Sequence, residues 1–453
     1  MDESFKKISM LGFPLKFTFF PLLFASFLLS QPSVAQENTI RLNSPYTYRM
    51  LDHTTEVNRK HEVLLDARSN GSIGEKELVI GLNMNVIADA QSTNRDAKFG
   101  YLMRHPTQGN QGGKSSSEVI VHDVNLQLTA TPLPWATAYA EILYNPEQSF
   151  GRGTITDLNR NQLQMRKAYA LIGDLNEYPV YGAFGKMTTP FGLTDTVSPF
   201  TSSTLWHSFG GLVYGGLLGY DKGGLNLSAM AIQGGPQFRA ANSGDDLPDK
   251  IANYTINGSY THTFDQDRTV RVGGGYLDGS AYCQPWPVTH FSSCEGFTNP
   301  AWGAHLLANW DRFTLLADFA ETTEDWPGTQ NPTPPLDVFE PVGVSSQTLG
   351  AKYDLPIAAL GGRDLGISLE YSDFEAGAEG SPWERQEQLV FGLEMNWNQN
   401  AKIFGEYIKT NGYVPLNFLS GPDPFDETEN PATTHSDADA ESDVFVIGLR
   451  LAM

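Results

Sequence analysis

Apolar and polar residues alternate along most of this chain. Leu78, Ile80, Leu82, Met84 and Val86 interleave with Val79, Gly81, Asn83, Asn85 and Ile87. In an extended strand the two sets face opposite sides, so one face is aliphatic and the other mostly small or polar. The same rhythm sets Val124, Leu126 and Leu128 against Asp123, Asn125, Gln127 and Thr129, and Trp302, Ala304, Leu306 and Ala308 against Gly303, His305, Leu307 and Asn309. It closes the chain with Phe445, Ile447, Leu449 and Leu451 against Val444, Val446, Gly448 and Arg450. Sixteen strands are predicted, at 76–89, 118–131, 135–145, 162–173, 179–188, 211–220, 224–233, 252–264, 269–278, 300–310, 312–322, 346–355, 364–374, 387–397, 401–410 and 442–453. Segment 162–173 leaves two registers open: one turns Lys167 toward the apolar side, the other turns Leu163 and Met165 toward the polar side.

The connections separate a membrane barrel from a soluble sandwich. Short ones carry turn residues: Pro132-Leu133-Pro134, Asp174 to Tyr178, Asp221-Lys222-Gly223, Asp265 to Arg268, Asp311, Pro356 to Arg363, and Asn398-Gln399-Asn400. Long ones run at 90–117, 146–161, 189–210, 234–251, 279–299, 323–345, 375–386 and 411–441. Long and short alternate strictly. A sandwich has no reason to do this, whereas a transmembrane barrel has short periplasmic turns and longer extracellular loops. The predicted fold class is therefore all-β: a transmembrane antiparallel up-and-down β-barrel of about sixteen strands, with room for an aqueous channel. Trp135, Tyr144, Tyr220, Tyr276, Trp302, Trp310, Phe374 and Trp397 fall near strand ends, as interfacial girdles require.

Composition agrees. Charged residues make up 18%, against about 25% in an average soluble domain, and aromatics reach 11%. A mean hydropathy of -0.30 is too polar for a bundle of membrane helices. The net charge of -22 excludes a general nucleic-acid binder, which needs basic surface, and two cysteines cannot build a disulfide scaffold.

Residues 1–35 have the form of a secretory signal peptide: Lys6, Lys7 and Lys16, an apolar stretch from Phe17 to Leu29, and the small-residue site Ser33-Val34-Ala35. That stretch is too short to span a bilayer core, which takes about 20 residues. Residues 36–75 are expected to be a periplasmic N-terminal segment, with a short helix within Tyr48–Arg68 that plugs, oligomerises or links. The outer-membrane barrel would occupy 76–453. The expected location is the outer membrane of a Gram-negative bacterium. The expected partners are outer-membrane lipid, lipopolysaccharide and a small-molecule substrate, with a homotrimer left open.

Candidate chemistry concentrates in the lumen. Loop 189–210, TPFGLTDTVSPFTSSTLWHSFG, follows a strand that carries Lys186. A long loop in a wide barrel can fold inward and narrow the pore, so that Lys186, Asp195 or His207 would set selectivity. The alternative is an ordinary surface loop. Strand parity adds Glu141, Arg166, Arg271, Asp318, Lys352, Glu370, Glu394, Glu406 and Arg450 as inward residues, whose mixed signs would orient a polar solute. His207-Ser208 raises an outer-membrane lipid hydrolase, but adjacent strand residues face opposite ways, and no enzyme is expected. Cys283 and Cys294 are a disulfide candidate in an oxidising compartment. Loop 411–441 is acidic, with Asp423, Asp426, Glu427, Glu429, Asp437, Asp439 and Glu441; it would hold divalent ions among lipopolysaccharide phosphates or concentrate cations. No metal-ligating cluster or cofactor motif stands out.

Several stretches resemble the siderophore porin family of outer-membrane β-barrels, of the legiobactin-uptake type. They are Lys167-Ala168-Tyr169, Ile172-Gly173-Asp174-Leu175, Pro179-Val180-Tyr181, Gly185-Lys186, Pro190-Phe191-Gly192 and Ser198-Pro199-Phe200-Thr201. The resemblance is sharpest over 162–220. It implies a sixteen-stranded barrel behind a short periplasmic segment, importing iron siderophores or iron chelates without the TonB-coupled plug of larger receptors. It also brings Pro190 and Phe191 into the set of pore and ligand candidates. The sequence departs from the family's Ser-Asp-Pro-Leu-Thr run at Val197-Ser198-Pro199-Phe200-Thr201, and it ends in Met453 where many barrels end in an aromatic. The alternative functions are a general or anion- or phosphate-preferring diffusion porin, a lipid hydrolase and an adhesin.

Overall fold

The computed structural model describes residues 39–94, 114–144, 163–233, 250–283, 298–329, 336–357, 361–412 and 439–453. Each predicted segment forms a strand: β1 (Glu77–Thr93), β2 (Ser115–Leu133), β3 (Ala136–Tyr144), β4 (Leu163–Gly173), β5 (Val180–Thr188), β6 (Leu212–Lys222), β7 (Leu225–Gln233), β8 (Ile251–Thr263), β9 (Arg268–Leu277), β10 (Ala301–Trp310), β11 (Phe313–Thr322), β12 (Ser345–Ile357), β13 (Arg363–Glu375), β14 (Arg385–Asn398), β15 (Ala401–Gly412) and β16 (Glu441–Ala452). Sequential strands pair antiparallel, and β16 returns to β1, from Ser442 opposite Thr93 to Ala452 opposite Asn83. The result is a closed barrel of sixteen strands. Below the point where β16 stops, the short strand Thr39–Arg41 runs parallel beside Glu77–Val79 and covers that edge of β1. Closure matters because hydrocarbon offers no partner for an open strand edge.

The turns follow from local chemistry. Gly223 and Gly224 join β6 to β7 at φ +62° and +86°. A two-residue hairpin of this kind needs positive φ at both centres, which glycine adopts without strain.

The two faces divide as the alternation predicts. Leu218, Leu227, Ile256, Leu349, Leu369 and Ile447 are exposed on the outside, while Asn83, Gln127, Thr255 and Glu370 are buried within. An apolar surface of this extent is tolerated in lipid and not in water, and the chain is an outer-membrane barrel. Leu306, which pairs with Val272 and Ala317, lies on the outer row. Leu306→Arg should impair assembly, since a charge near the bilayer midplane costs roughly 2–4 kcal/mol, whereas Asn309→Arg should assemble normally. Refolding yield into lipid vesicles, read as the heat-modifiable band on a gel, distinguishes the two; equal yields would mean the register of β10 is wrong.

Two of the sheet's bulges bear on the lumen residues. In β2, Asp123 pairs with Asn85 and Val121 with Val86, so His122 is an extra residue. In β4, Lys167 pairs with Glu141 and Met165 with Ile142, so Arg166 is extra. The second bulge settles the ambiguous segment: Leu163 and Met165 stay outside while Lys167, Tyr169 and Leu171 point in.

Residues 44–75 correct the expectation of a single periplasmic helix. They form two helices, α1 (Ser44–Met50) and α2 (Lys60–Ser69), packed against lumen-facing side chains at the end with the short turns. Asn43 caps α1, its side chain accepting the Tyr46 N–H at 3.3 Å. Val63, Leu64, Leu65 and Ala67 of α2 are buried, and Arg68 donates to the carbonyls of Leu133 and Pro134 in the β2–β3 turn.

Candidate functional site

The connection between β5 and β6 folds into the barrel and runs along its inner wall from β8 to β15. Wall carboxylates capture its backbone. Leu193 and Thr194 donate their N–H groups to Asp318 Oδ2 on β11, at 3.1 and 2.8 Å. Val197 N–H and the Thr196 hydroxyl donate to Glu370 Oε2 on β13, at 2.8 and 2.7 Å. Phe200 N–H donates to Glu406 Oε1 on β15 at 2.7 Å, and the Thr201 hydroxyl to Oε2 at 2.5 Å. A loop inside a barrel has no strand partner for its amides, and unpaired buried amides are costly. Three acids on alternate strands supply the acceptors.

Glycines on the strands between make the room. A methyl group at Gly350 of β12 would lie 2.6 Å from Val197 Cγ2, and one at Gly392 of β14 would lie 2.4 Å from Pro199 Cδ. Phe200, at the far end of the run, stacks on Phe404 with ring centroids 5.3 Å apart and meets the His122 ring edge-on at 4.8 Å. The loop returns through α3 (Thr204–Phe209), whose first turn is capped by Ser203. Above it, Tyr282 donates its hydroxyl to the Ser208 carbonyl at 2.8 Å and packs edge-on against Phe209 and Trp326.

The N-terminal segment is joined to this loop. Arg59 Nη2 meets Asp195 Oδ2 at 2.8 Å, and Val57 N–H donates to the other oxygen of Asp195 at 3.0 Å. Asn58 donates to the Phe191 carbonyl at 2.6 Å, and Thr196 N–H to the Thr54 carbonyl at 2.8 Å. The His53 ring donates to the Phe200 carbonyl at 2.9 Å. Burial pushes His53 down to about 4, so it is neutral at physiological pH. The segment is also anchored to the wall. Arg271 of β9 forks onto Glu62 at 3.0 and 3.1 Å, and the Tyr46 hydroxyl meets Thr129 at 3.0 Å. Arg450 of β16 donates to Asp52 at 2.9 Å with its guanidinium 4.2 Å from the Tyr48 ring centre. Loop and segment thus form one internal unit.

The predicted site residues take different places. Pro190, Phe191, Asp195 and His207 lie on the inward loop, with Phe191 fully buried beneath Phe209. Asp318 and Asp195 face the lumen but hold loop and segment, and Arg271 holds Glu62. Lys186 requires correction. It pairs with Ala168 and Tyr214, in the same row as the exposed Phe184, so by register it stands on the outer row, although its own side chain is buried there. There its ammonium donates to the Met165 carbonyl at 3.2 Å and lies 5.5 Å from the Tyr214 ring centre. His207 is edge-on to Trp206, and the Ser208 hydroxyl donates to the Thr204 carbonyl at 2.8 Å within the same helix, which leaves that hydroxyl poorly placed as a nucleophile. Cys283 is disulfide-bonded; Cys294 and most of the acidic loop 411–441 lie outside the described residues.

The largest omission from the sequence reading was Arg59. Its only sequence signal is a charge among the apolar residues of a segment that has no strand rhythm.

No family model and no curated protein matches this chain. Among solved structures, OprB of Pseudomonas putida aligns with a TM-score of 0.51 at 8% identity, over 89% of this chain and all of that one. The outer membrane channel DcaP of Acinetobacter baumannii aligns at 0.47 with 14% identity, over 83% and 97% of the two chains. The anion-selective porin from Comamonas acidovorans aligns at 0.48 with 12% identity, over 83% and 100%. At 8% identity the OprB likeness speaks for the fold alone, an outer-membrane β-barrel.

Proposed function

We propose that this chain is an outer-membrane porin that admits a small polar solute through a lumen narrowed by its own loop and N-terminal segment. The observation that carries this reading is the inward loop laid across a polar-walled barrel of sixteen strands, wide enough for an aqueous channel. A barrel serving only as an adhesin has no need of wall acids and glycines arranged to seat a loop in its interior. The finer reading is uptake of an iron siderophore or iron chelate without a TonB-coupled plug. Its support is the resemblance over 162–220, which includes the Pro190-Phe191-Gly192 run.

Single-channel recording on the refolded mature protein, with a panel of ferric siderophores, tests both levels. The expected result is discrete openings that one chelate blocks at micromolar concentration. Openings indifferent to every chelate would leave a porin and remove the siderophore assignment. A barrel that never conducts would remove the porin reading.

A further inference from the structure

We propose that Arg166 is where the channel recognises a carboxylate on its solute, with Glu141 as the resident counter-anion that the solute displaces. The inference rests on the porin reading and assigns a charge class to the solute.

The bulge in β4 is the starting observation. Neighbouring strand residues ordinarily face opposite sides, yet the extra residue brings both Arg166 and Lys167 to Glu141. Bulges recur beside functional sites because they re-aim a side chain. The two cations are held differently. Lys167 is buried and bonds Glu141 Oε2 at 3.0 Å. The Arg166 side chain is 29% exposed, and its Nε lies 3.5 Å from Glu141 Oε1, well beyond the roughly 2.7–2.9 Å of a charge-assisted bond. Among the described residues its two terminal nitrogens have no hydrogen-bond partner.

That sets Arg166 apart from the other described cations of the lumen. Arg59, Arg271 and Arg450 are bonded to Asp195, Glu62 and Asp52, and Lys352 and Lys402 share Glu394. Each of those is held by a carboxylate at hydrogen-bond distance. Arg166 presents a planar fork, the geometry that takes a carboxylate through two parallel bonds.

Its surroundings favour an anion. Lys60 of α2 adds its field at Glu141; burial pushes that ammonium down to about 8, so it is still mostly charged at neutral pH. Lys167, Arg166 and Lys60 thus all act on Glu141, with Asp52 and Glu56 on the far side of Lys60. The Tyr169 hydroxyl, buried on the same strand, has no partner. The inward loop is seated on β8 to β15 and meets β2 at His122, while β4 faces the N-terminal segment, whose Tyr46 clusters with Tyr139 and Tyr169; Arg166 stays partly exposed beside it.

Bilayer recordings on the mature protein, with citrate as the probe, test this. Wild type should be blocked by citrate. Arg166→Gln should raise the half-blocking concentration about ten-fold, the worth of a charge-assisted hydrogen bond. Glu141→Gln should lower it, because the competing anion is gone. Arg312→Gln, a charge change in a periplasmic turn far from the lumen, should leave it unchanged. Equal block of wild type and Arg166→Gln overturns the proposal, as does weaker block in Glu141→Gln; should Arg166→Gln fail to fold, the Glu141→Gln result decides. A conducting barrel whose citrate response ignores both substitutions overturns this inference and leaves the porin reading standing. A barrel without current overturns both.

Discussion

Glu370→Ala combined with Glu406→Ala is expected to release the far end of the inward loop and raise single-channel conductance, with frequent transitions between current levels. The two carboxylates accept the amides of Val197 and Phe200 and the hydroxyls of Thr196 and Thr201. Alanine leaves those donors buried and unpaired, at about 1–3 kcal/mol each. No strand is available to take the amides instead, so the segment moves toward lumen water. Glutamine at both positions keeps an acceptor oxygen and should restore most of the closed behaviour. Conductance of the alanine double variant equal to wild type would mean that the loop is held by its packing against Gly350, Gly392 and Phe404, and that the acids add little.

Arg59→Leu is the second large effect. It leaves Asp195 buried without its cation, and removing one partner of a buried ion pair costs about 3–5 kcal/mol. The midpoint of denaturant unfolding in micelles should fall accordingly. Current noise should rise, because the N-terminal segment loses its strongest tie to the loop. Arg59→Leu with Asp195→Leu removes both charges and should recover most of the midpoint, since an apolar pair avoids the stranded carboxylate. Recovery of stability without recovery of quiet current would separate the two roles of the pair: compensating charge and tying segment to loop. If Arg59→Leu shifts neither midpoint nor noise, the segment does not depend on Asp195.

How much of this was legible in advance differs by level. The strands were, because period-two alternation is a property of neighbouring residues and lipid on one side enforces it at every strand. Strand ends follow approximately from turn chemistry: the turn expected at Asp221-Lys222-Gly223 falls at Gly223-Gly224. The inward loop was raised as one of two alternatives, from its length and its place after β5. What held it was hidden: Glu370 and Glu406 read as pore acids, and nothing local marks an acid as the acceptor for an amide far away in the chain. Parity alone counts Lys186 as inward, whereas its neighbours in register, Ala168 and Tyr214, put it on the outer row.

By itself, then, the sequence determined the barrel and its strand number, since each depends on patterns only a few residues long. The tertiary structure alone decided what fills the lumen. The Arg59–Asp195 pair joins residues 136 positions apart, and the bulge that frees the Arg166 fork is a mismatch between β3 and β4 that neither strand records alone. Contacts of that kind arise only once closure has brought distant strands around a common interior.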